Sequence, residues 1–199
     1  MKGSLIIIAF FITGLLLALL FEIPEQYLSA DASTYALYFL MFLVGIGVGS
    51  DAKVIQVLRN MNLKILLVPL CVIAGTALGL VALYFLYPVY KLDEYMAIGA
   101  GYGYYSLSSI FITEIRGQLL GVVALLSNII REIITLLFTP VLYKYFGKLA
   151  PIASGGATAM DTTLPVITKY VGKEYAIVSV FSGVVLTILV PVIIPLILK

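Results

Sequence analysis

The chain has 199 residues, of which 62% are hydrophobic and 11% charged, with a net charge of +2. A soluble domain averages about 45–50% apolar and about 25% charged residues, so this composition excludes one and describes a polytopic membrane protein. Histidine is absent and cysteine occurs once, as Cys71, which excludes a zinc site and an internal disulfide. No basic cluster is present for nucleic-acid phosphates to bind.

Apolar runs near the ~20 residues that cross a bilayer recur along the chain. They predict an all-α polytopic membrane protein, one integral transporter domain over 1–199, with about seven transmembrane segments. The first, 4–21, is longer than the ~7–15 residues of a signal-peptide core and reads as a retained span. The second is 34–50, where Gly45, Gly47 and Gly49 read as helix packing. The third, 63–87, holds Cys71, which reads as inert core. The fourth, 95–114, is broken around 99–109; the fifth is 118–146; the sixth, 152–170, is broken around 154–166; the seventh is 175–198. Trp is absent, so an interfacial belt must come from tyrosine. Tyr84, Tyr87, Tyr90, Tyr95, Tyr143, Tyr145, Tyr170 and Tyr175 all fall near span ends.

With the N-terminus inside, Lys2, Lys53, Arg59, Lys64, Arg116, Lys169 and Lys173 lie in the cytoplasm and Lys91, Lys144, Lys148 and Lys199 outside. That bias, seven to four, predicts a multi-pass protein of the plasma (inner) membrane with a cytoplasmic N-terminus and an external C-terminus. A broken segment that re-enters instead of crossing would flip the C-terminus.

In the fourth segment, Gly99 to Ser109 reads GAGYGYYSLSS. The glycines do not make a dinucleotide fingerprint, because no strand precedes them and the third comes too early. Taken alone they fit small-residue packing as well as site lining. Tyrosine faces can pack on a cationic ligand, and so Tyr102, Tyr104, Tyr105 and Ser106 are candidates for lining a site.

In the fifth segment, Gly121, Asn128, Arg131, Glu132, Thr135 and Thr139 form a polar stripe at helical spacing among Leu, Ile and Val. A charge at mid-membrane costs about 2.5–3.5 kcal/mol on insertion scales, so this face must look into protein or a water-filled cavity. In the sixth, Ser154 to Ile167 reads SGGATAMDTTLPVI. Gly155 and Gly156 permit irregular backbone, and Pro165 favours a break before it. Thr158, Thr162 and Thr163 supply hydroxyls. Such backbone is tolerated in lipid only where it is buried or lines a cavity, and broken helices recur at transporter sites. Glu132, Asp161 and Arg131 are then two interior acids and one interior base. An ion pair that only holds the bundle together needs one acid; the surplus carboxylate suits exchange of a proton or cation.

The strings GAGYGYYSLSS, LSNIIREI and GGATAMDTTLPVI, in this order and followed by an apolar final span, resemble the LysO-type lysine exporters from the second span on. The resemblance implies efflux of L-lysine and its toxic analogues, coupled to protons, with two essential intramembrane acids that map onto Glu132 and Asp161. One further N-terminal span found in longer members of that family is not seen here. The substrate ammonium is expected on Asp161 or Glu132. The α-carboxylate is expected on Arg131 or the amides near Gly155, Gly156 and Ala157, with Asn128 and the threonines completing the shell. No cofactor and no metal are called for; the partners are L-lysine, protons and membrane lipid, and a homodimer fits so thin a bundle. The residues alone also leave open a monovalent-cation/proton antiporter. An intramembrane aspartyl protease using Glu132 and Asp161 is opposed by Arg131 beside Glu132, because such a dyad must share a proton.

Overall fold

The computed structural model describes residues 63–199 and, ahead of them, Ile12, Thr13, Leu16, Leu17, Tyr35, Phe39, Phe42 and Ile46, all of them helical. The expected spans 4–21 and 34–50 otherwise lie outside the described residues. The chain divides into two compact units, Met1–Val44 and Gly45–Lys199; the second contains every continuous helix among the described residues. These helices are α1 Leu63–Leu86, α2 Leu92–Gly99, α3 Tyr105–Arg116, α4 Gln118–Phe146, α5 Ala150–Gly155, α6 Leu164–Val171 and α7 Ala176–Ile197. Tighter 3₁₀ turns occupy Gly156–Met160 and Lys173–Tyr175. There is no strand among the described residues.

Three helical stretches are long and apolar enough to cross a membrane: Ile65–Leu86, Gln118–Phe146 and Lys173–Ile197. Prolines sit inside all three, as membrane helices tolerate when their neighbours satisfy the freed backbone groups. The two broken segments interrupt where the glycines and Pro165 place the breaks. The first is split into α2 and α3 by Ala100–Tyr104; the second is split into α5 and α6 by the 3₁₀ turn and Asp161–Thr163. Pro151 and Pro165 lie in the first turns of α5 and α6, where a missing N–H costs nothing. Pro165 thus starts the second half-helix as well as ending the irregular stretch.

Each broken segment returns to the end from which it came. Arg116 Nη2, in the last turn of α3, lies 2.9 Å from Asp93 Oδ2 in the first turn of α2. A straight helix between those two residues would hold their Cα atoms about 35 Å apart. The second segment behaves alike. Lys148 Nζ, just before α5, is 3.7 Å from Glu174 Oε1 and 4.9 Å from the centre of the Tyr175 ring, both beyond α6. Neither segment therefore crosses from one end of the bundle to the other. Among the described residues, three helices are long enough to cross and the two broken segments fold back as hairpins; the first two of the expected seven segments lie outside the described residues. If both hairpins re-enter the membrane, the two sidedness flips expected from re-entry would cancel at the C-terminus.

The hairpins enter from opposite ends of α4. Gly117 joins the base of the first to the start of α4, and Gly147 to Leu149 join its other end to the base of the second. A helix of 29 residues extends about 43 Å, enough to cross the whole bilayer. Helix α1 has 24 residues, about 36 Å, and touches both hairpins. Val68 near its start packs with Ile152, Ala159, Ile167 and Val171 of the second. Thr76 and Leu80 press on Gly99 of the first, so closely that a Cβ there would stand 2.2 Å from Leu80 Cδ1. At this corner Tyr84 and Tyr90 each meet Tyr95 edge to face, and the Tyr95 hydroxyl donates to the Tyr87 carbonyl. Cys71, expected in the core, is exposed on α1.

Candidate functional site

The two hairpin tips meet beside the middle of α4. The Ala157 N–H, in the 3₁₀ turn of the second hairpin, donates to the Tyr102 carbonyl of the first at 2.8 Å. Two glycines make the approach possible. Gly156 has φ +62°, and a Cβ on it would stand 2.2 Å from the Tyr102 oxygen; Gly103 has φ +98°, and its Cβ would stand 3.0 Å from the Gly155 oxygen. Only glycine adopts such backbone without strain. Tyr102, buried, takes φ +45° without being glycine. That is a strained conformation of the kind that functional sites hold in place.

Helix α4 fastens both tips. Asn128, about 15 Å along it, is buried. Its Oδ1 accepts from the Gly103 N–H at 2.8 Å, and its Nδ2 donates to the Ile98 carbonyl at 3.2 Å and to the Ala124 carbonyl at 2.9 Å. One turn on, Arg131 Nε donates to the Ser154 carbonyl at 2.8 Å and Nη2 to the Ala153 carbonyl at 2.9 Å. Thr135 shares a 2.7 Å hydrogen bond with the Ser154 hydroxyl. Two neighbouring turns of one helix thus hold the carbonyls at the ends of both first half-helices, Ile98 of α2, which also accepts from the Gly101 N–H at 3.4 Å, and Ala153 and Ser154 of α5.

The structure brings together Tyr102, Asn128, Arg131, Gly155, Gly156 and Thr158. Thr158, buried, donates to the Gly155 carbonyl at 2.9 Å and lies 3.4 Å from the buried Thr163 hydroxyl, which fixes the inner wall of the second tip. Asp161 follows the 3₁₀ turn and is exposed; its Oδ1 accepts from the Thr162 N–H at 2.6 Å and the Thr162 hydroxyl at 3.4 Å. Tyr104, half-buried, lies within electrostatic reach of Asp161, and Tyr102 within reach of Arg131. Glu132 is half-buried and has no hydrogen bond or ion pair among the described residues. Tyr105 starts α3, half-buried, and Ser106 is exposed on it.

Two expectations are adjusted. Arg131 is not paired with an acid among the described residues; backbone carbonyls hold it, and these are invisible in a count of charged side chains. Asp161 is not enclosed by protein but lies open on the turn. The reach from Arg131 to a half-helix end was not legible from the stripe on α4 alone. Ser179 and Ser182 of α7 were not singled out either. Both are fully buried, and their hydroxyls have no partner among the described residues. A cavity of about 390 Å³ lies between α1, α2 and α4, with Tyr90, Tyr95 and Ser127 on its walls, and reaches Asn128 and Arg131.

The family model described as lysine exporter LysO matches residues 8–198. The chain belongs to the LysO lysine-exporter family. It is 30% identical over 166 residues to the lysine exporter LysO of Escherichia coli (strain K12), covering 83% of this chain and 54% of that protein. The chain thus spans about half the length of that relative. It is also 30% identical over 161 residues to a putative lysine exporter of Haemophilus influenzae, covering 80% of each chain. No solved structure matches. Family membership and the long apolar helices make this a membrane-embedded protein of a transporter family.

Proposed function

We propose that the protein exports L-lysine and lysine analogues from the cytoplasm in exchange for protons, with Glu132 and Asp161 as the carboxylates that bind one or the other. The observation that carries this reading is the juncture of the two hairpin tips at mid-α4, with Asp161 just after one tip and Glu132 next to Arg131 on α4, neither of them in an ion pair among the described residues. Irregular backbone at membrane depth, lined by polar side chains, is where transporters of this build bind substrate. Lysine brings a net positive charge, and moving it out against an inside-negative potential costs about 2.3 kcal/mol per 100 mV. Counter-movement of one proton cancels that charge. The same carboxylates hold either a proton or an ammonium, so competition supplies the coupling without a separate ion site.

Radiolabelled lysine counterflow in proteoliposomes, with and without a pH gradient, tests the reading. Asp161→Asn and Glu132→Gln keep side-chain size and remove charge. Each should abolish export while the protein still inserts; wild-type rates in both would remove the carboxylate assignment. Sodium-stimulated proton flux with no lysine binding would favour the monovalent-cation antiporter instead.

A further inference from the structure

Arg131 is held by dipoles and not by a carboxylate. Its two acceptors, the Ala153 and Ser154 carbonyls, belong to the last residues of α5, where the chain turns off the helix at Gly156. Carbonyls at a helix C-terminus carry partial negative charge, and at broken membrane helices they are where cations are seated. The guanidinium also lies against the tip itself: a Cβ on Gly156 would stand 3.2 Å from Arg131 Nη2. A charged side chain thus fills a seat that also suits a substrate ammonium, while both acids of the site stand without a positive partner among the described residues.

We infer that Arg131 is a resident cation, which competes with the lysine ammonium for the Ala153 and Ser154 carbonyls. Seated, it fills the unloaded protein; displaced, it leaves those carbonyls to the substrate. The inference rests on the lysine-export reading but moves the ammonium from the carboxylates to the Ala153 and Ser154 carbonyls, which leaves Glu132 and Asp161 to hold either a proton or the displaced guanidinium. Two unit charges cannot share one pair of carbonyls, so loading lysine drives the guanidinium off. Glu132, next to it on α4, and Asp161, on the hairpin it clamps, are the carboxylates available to receive it. Protonation of those carboxylates removes that alternative, returns Arg131 to the carbonyls and expels lysine. Proton and substrate are then linked through a moving arginine. Arg131 is a positioning residue in this scheme, and whenever lysine is bound the second hairpin keeps its Thr135–Ser154 bond to α4 but loses its two bonds to Arg131.

The wild-type protein offers the first test. Arginine occurs only as Arg59, Arg116 and Arg131, so phenylglyoxal modification read by mass spectrometry resolves each. Saturating lysine should raise labelling of Arg131 and leave Arg116 unchanged. Lowered labelling would place Arg131 under the substrate as a ligand, and unchanged labelling would leave it a fixed clamp; either overturns the inference. Arg131→Gln in proteoliposomes is the second test. If Arg131 fills the seat about nine-tenths of the time, its removal should tighten apparent lysine binding about tenfold. Lysine–lysine counterflow should persist, while net export driven by a pH gradient is lost. Added propylguanidinium should restore part of the net flux, and Arg131→Lys, whose ammonium also fits the carbonyls, should retain it. Weakened lysine binding in a monodisperse Arg131→Gln protein would sink the idea. Should that variant fail to fold, the wild-type labelling decides. Absence of lysine counterflow in the wild type is a separate result, which removes the export reading itself.

Discussion

Asn128 gives its amide oxygen to the Gly103 N–H and its amide protons to the Ile98 and Ala124 carbonyls. No isosteric apolar side chain can do this. Asn128→Leu orphans the Gly103 donor in a buried site, at about 1–3 kcal/mol, and leaves the Ile98 carbonyl only its backbone donors, the Gly101 N–H at 3.4 Å among them. The thermal midpoint in detergent should fall clearly, and transport should be lost with it. Asn128→Asp should be comparably harmful, because it sets a carboxylate against two carbonyls; wild-type melting in both variants would show that the bonds hold nothing. Gly156 gives a sharper contrast. Alanine there must adopt backbone that costs about 1–3 kcal/mol and must clear a carbonyl oxygen 2.2 Å away. Gly156→Ala should push the tips apart and stop counterflow. Gly75→Ala on α1, where a Cβ meets nothing within 4 Å, should be close to neutral in the same assay. Much of this was legible before the structure. Of the stripe Gly121, Asn128, Arg131, Glu132, Thr135 and Thr139, four are buried on α4 together with Leu120 and Ala124, while Arg131 and Glu132 are half-buried. The acceptors of Arg131 were not legible, because a backbone carbonyl carries no letter of its own and only the fold shows which one is free.

Helix breaks are local events, written in Gly99–Gly103, Gly155–Gly156 and Pro165, and so the sequence places them well. Whether a broken segment crosses or turns back is a tertiary fact. Each hairpin is long and apolar enough to be read as a span, and the pairs that close the bases, Asp93 with Arg116 and Lys148 with Glu174, are distant along the chain. These pairs report the geometry more than they create it: they are partly exposed, and such pairs contribute about 0–1 kcal/mol. Single cysteines test re-entry directly in a Cys71→Ala background. Cysteines at Lys91 and Gln118 should react with a membrane-impermeant maleimide from one side, and cysteines at Lys148 and Lys173 from the other. Reaction of Lys91 and Gln118 positions from opposite sides would restore a crossing segment and remove the first hairpin.

Re-entry also alters the charge distribution of the whole molecule. Taking spans 4–21 and 34–50 as the sequence predicts them, Lys144 and Lys148 move to the side of Lys2, Lys53, Arg59, Lys64, Lys169 and Lys173, and Arg116 joins Lys91 and Lys199. The bias becomes eight to three in place of seven to four, which strengthens the expectation of a cytoplasmic N-terminus and an external C-terminus. In that frame the first hairpin opens outward and the second inward, and their tips meet near the midplane. A substrate held at the tips is then separated from either side by one hairpin, the arrangement that alternating access requires. Histidine is absent, so in the proposed exchange the proton would be carried by Glu132 and Asp161. If lysine and a proton replace each other there, each full cycle moves no net charge. Lysine flux in proteoliposomes should therefore follow an imposed pH gradient, with little current. A potassium-diffusion potential at fixed pH should change the flux only weakly. A large lysine-dependent current at symmetric pH, insensitive to the gradient, would rule out one-for-one exchange and mark the protein as a uniporter or channel.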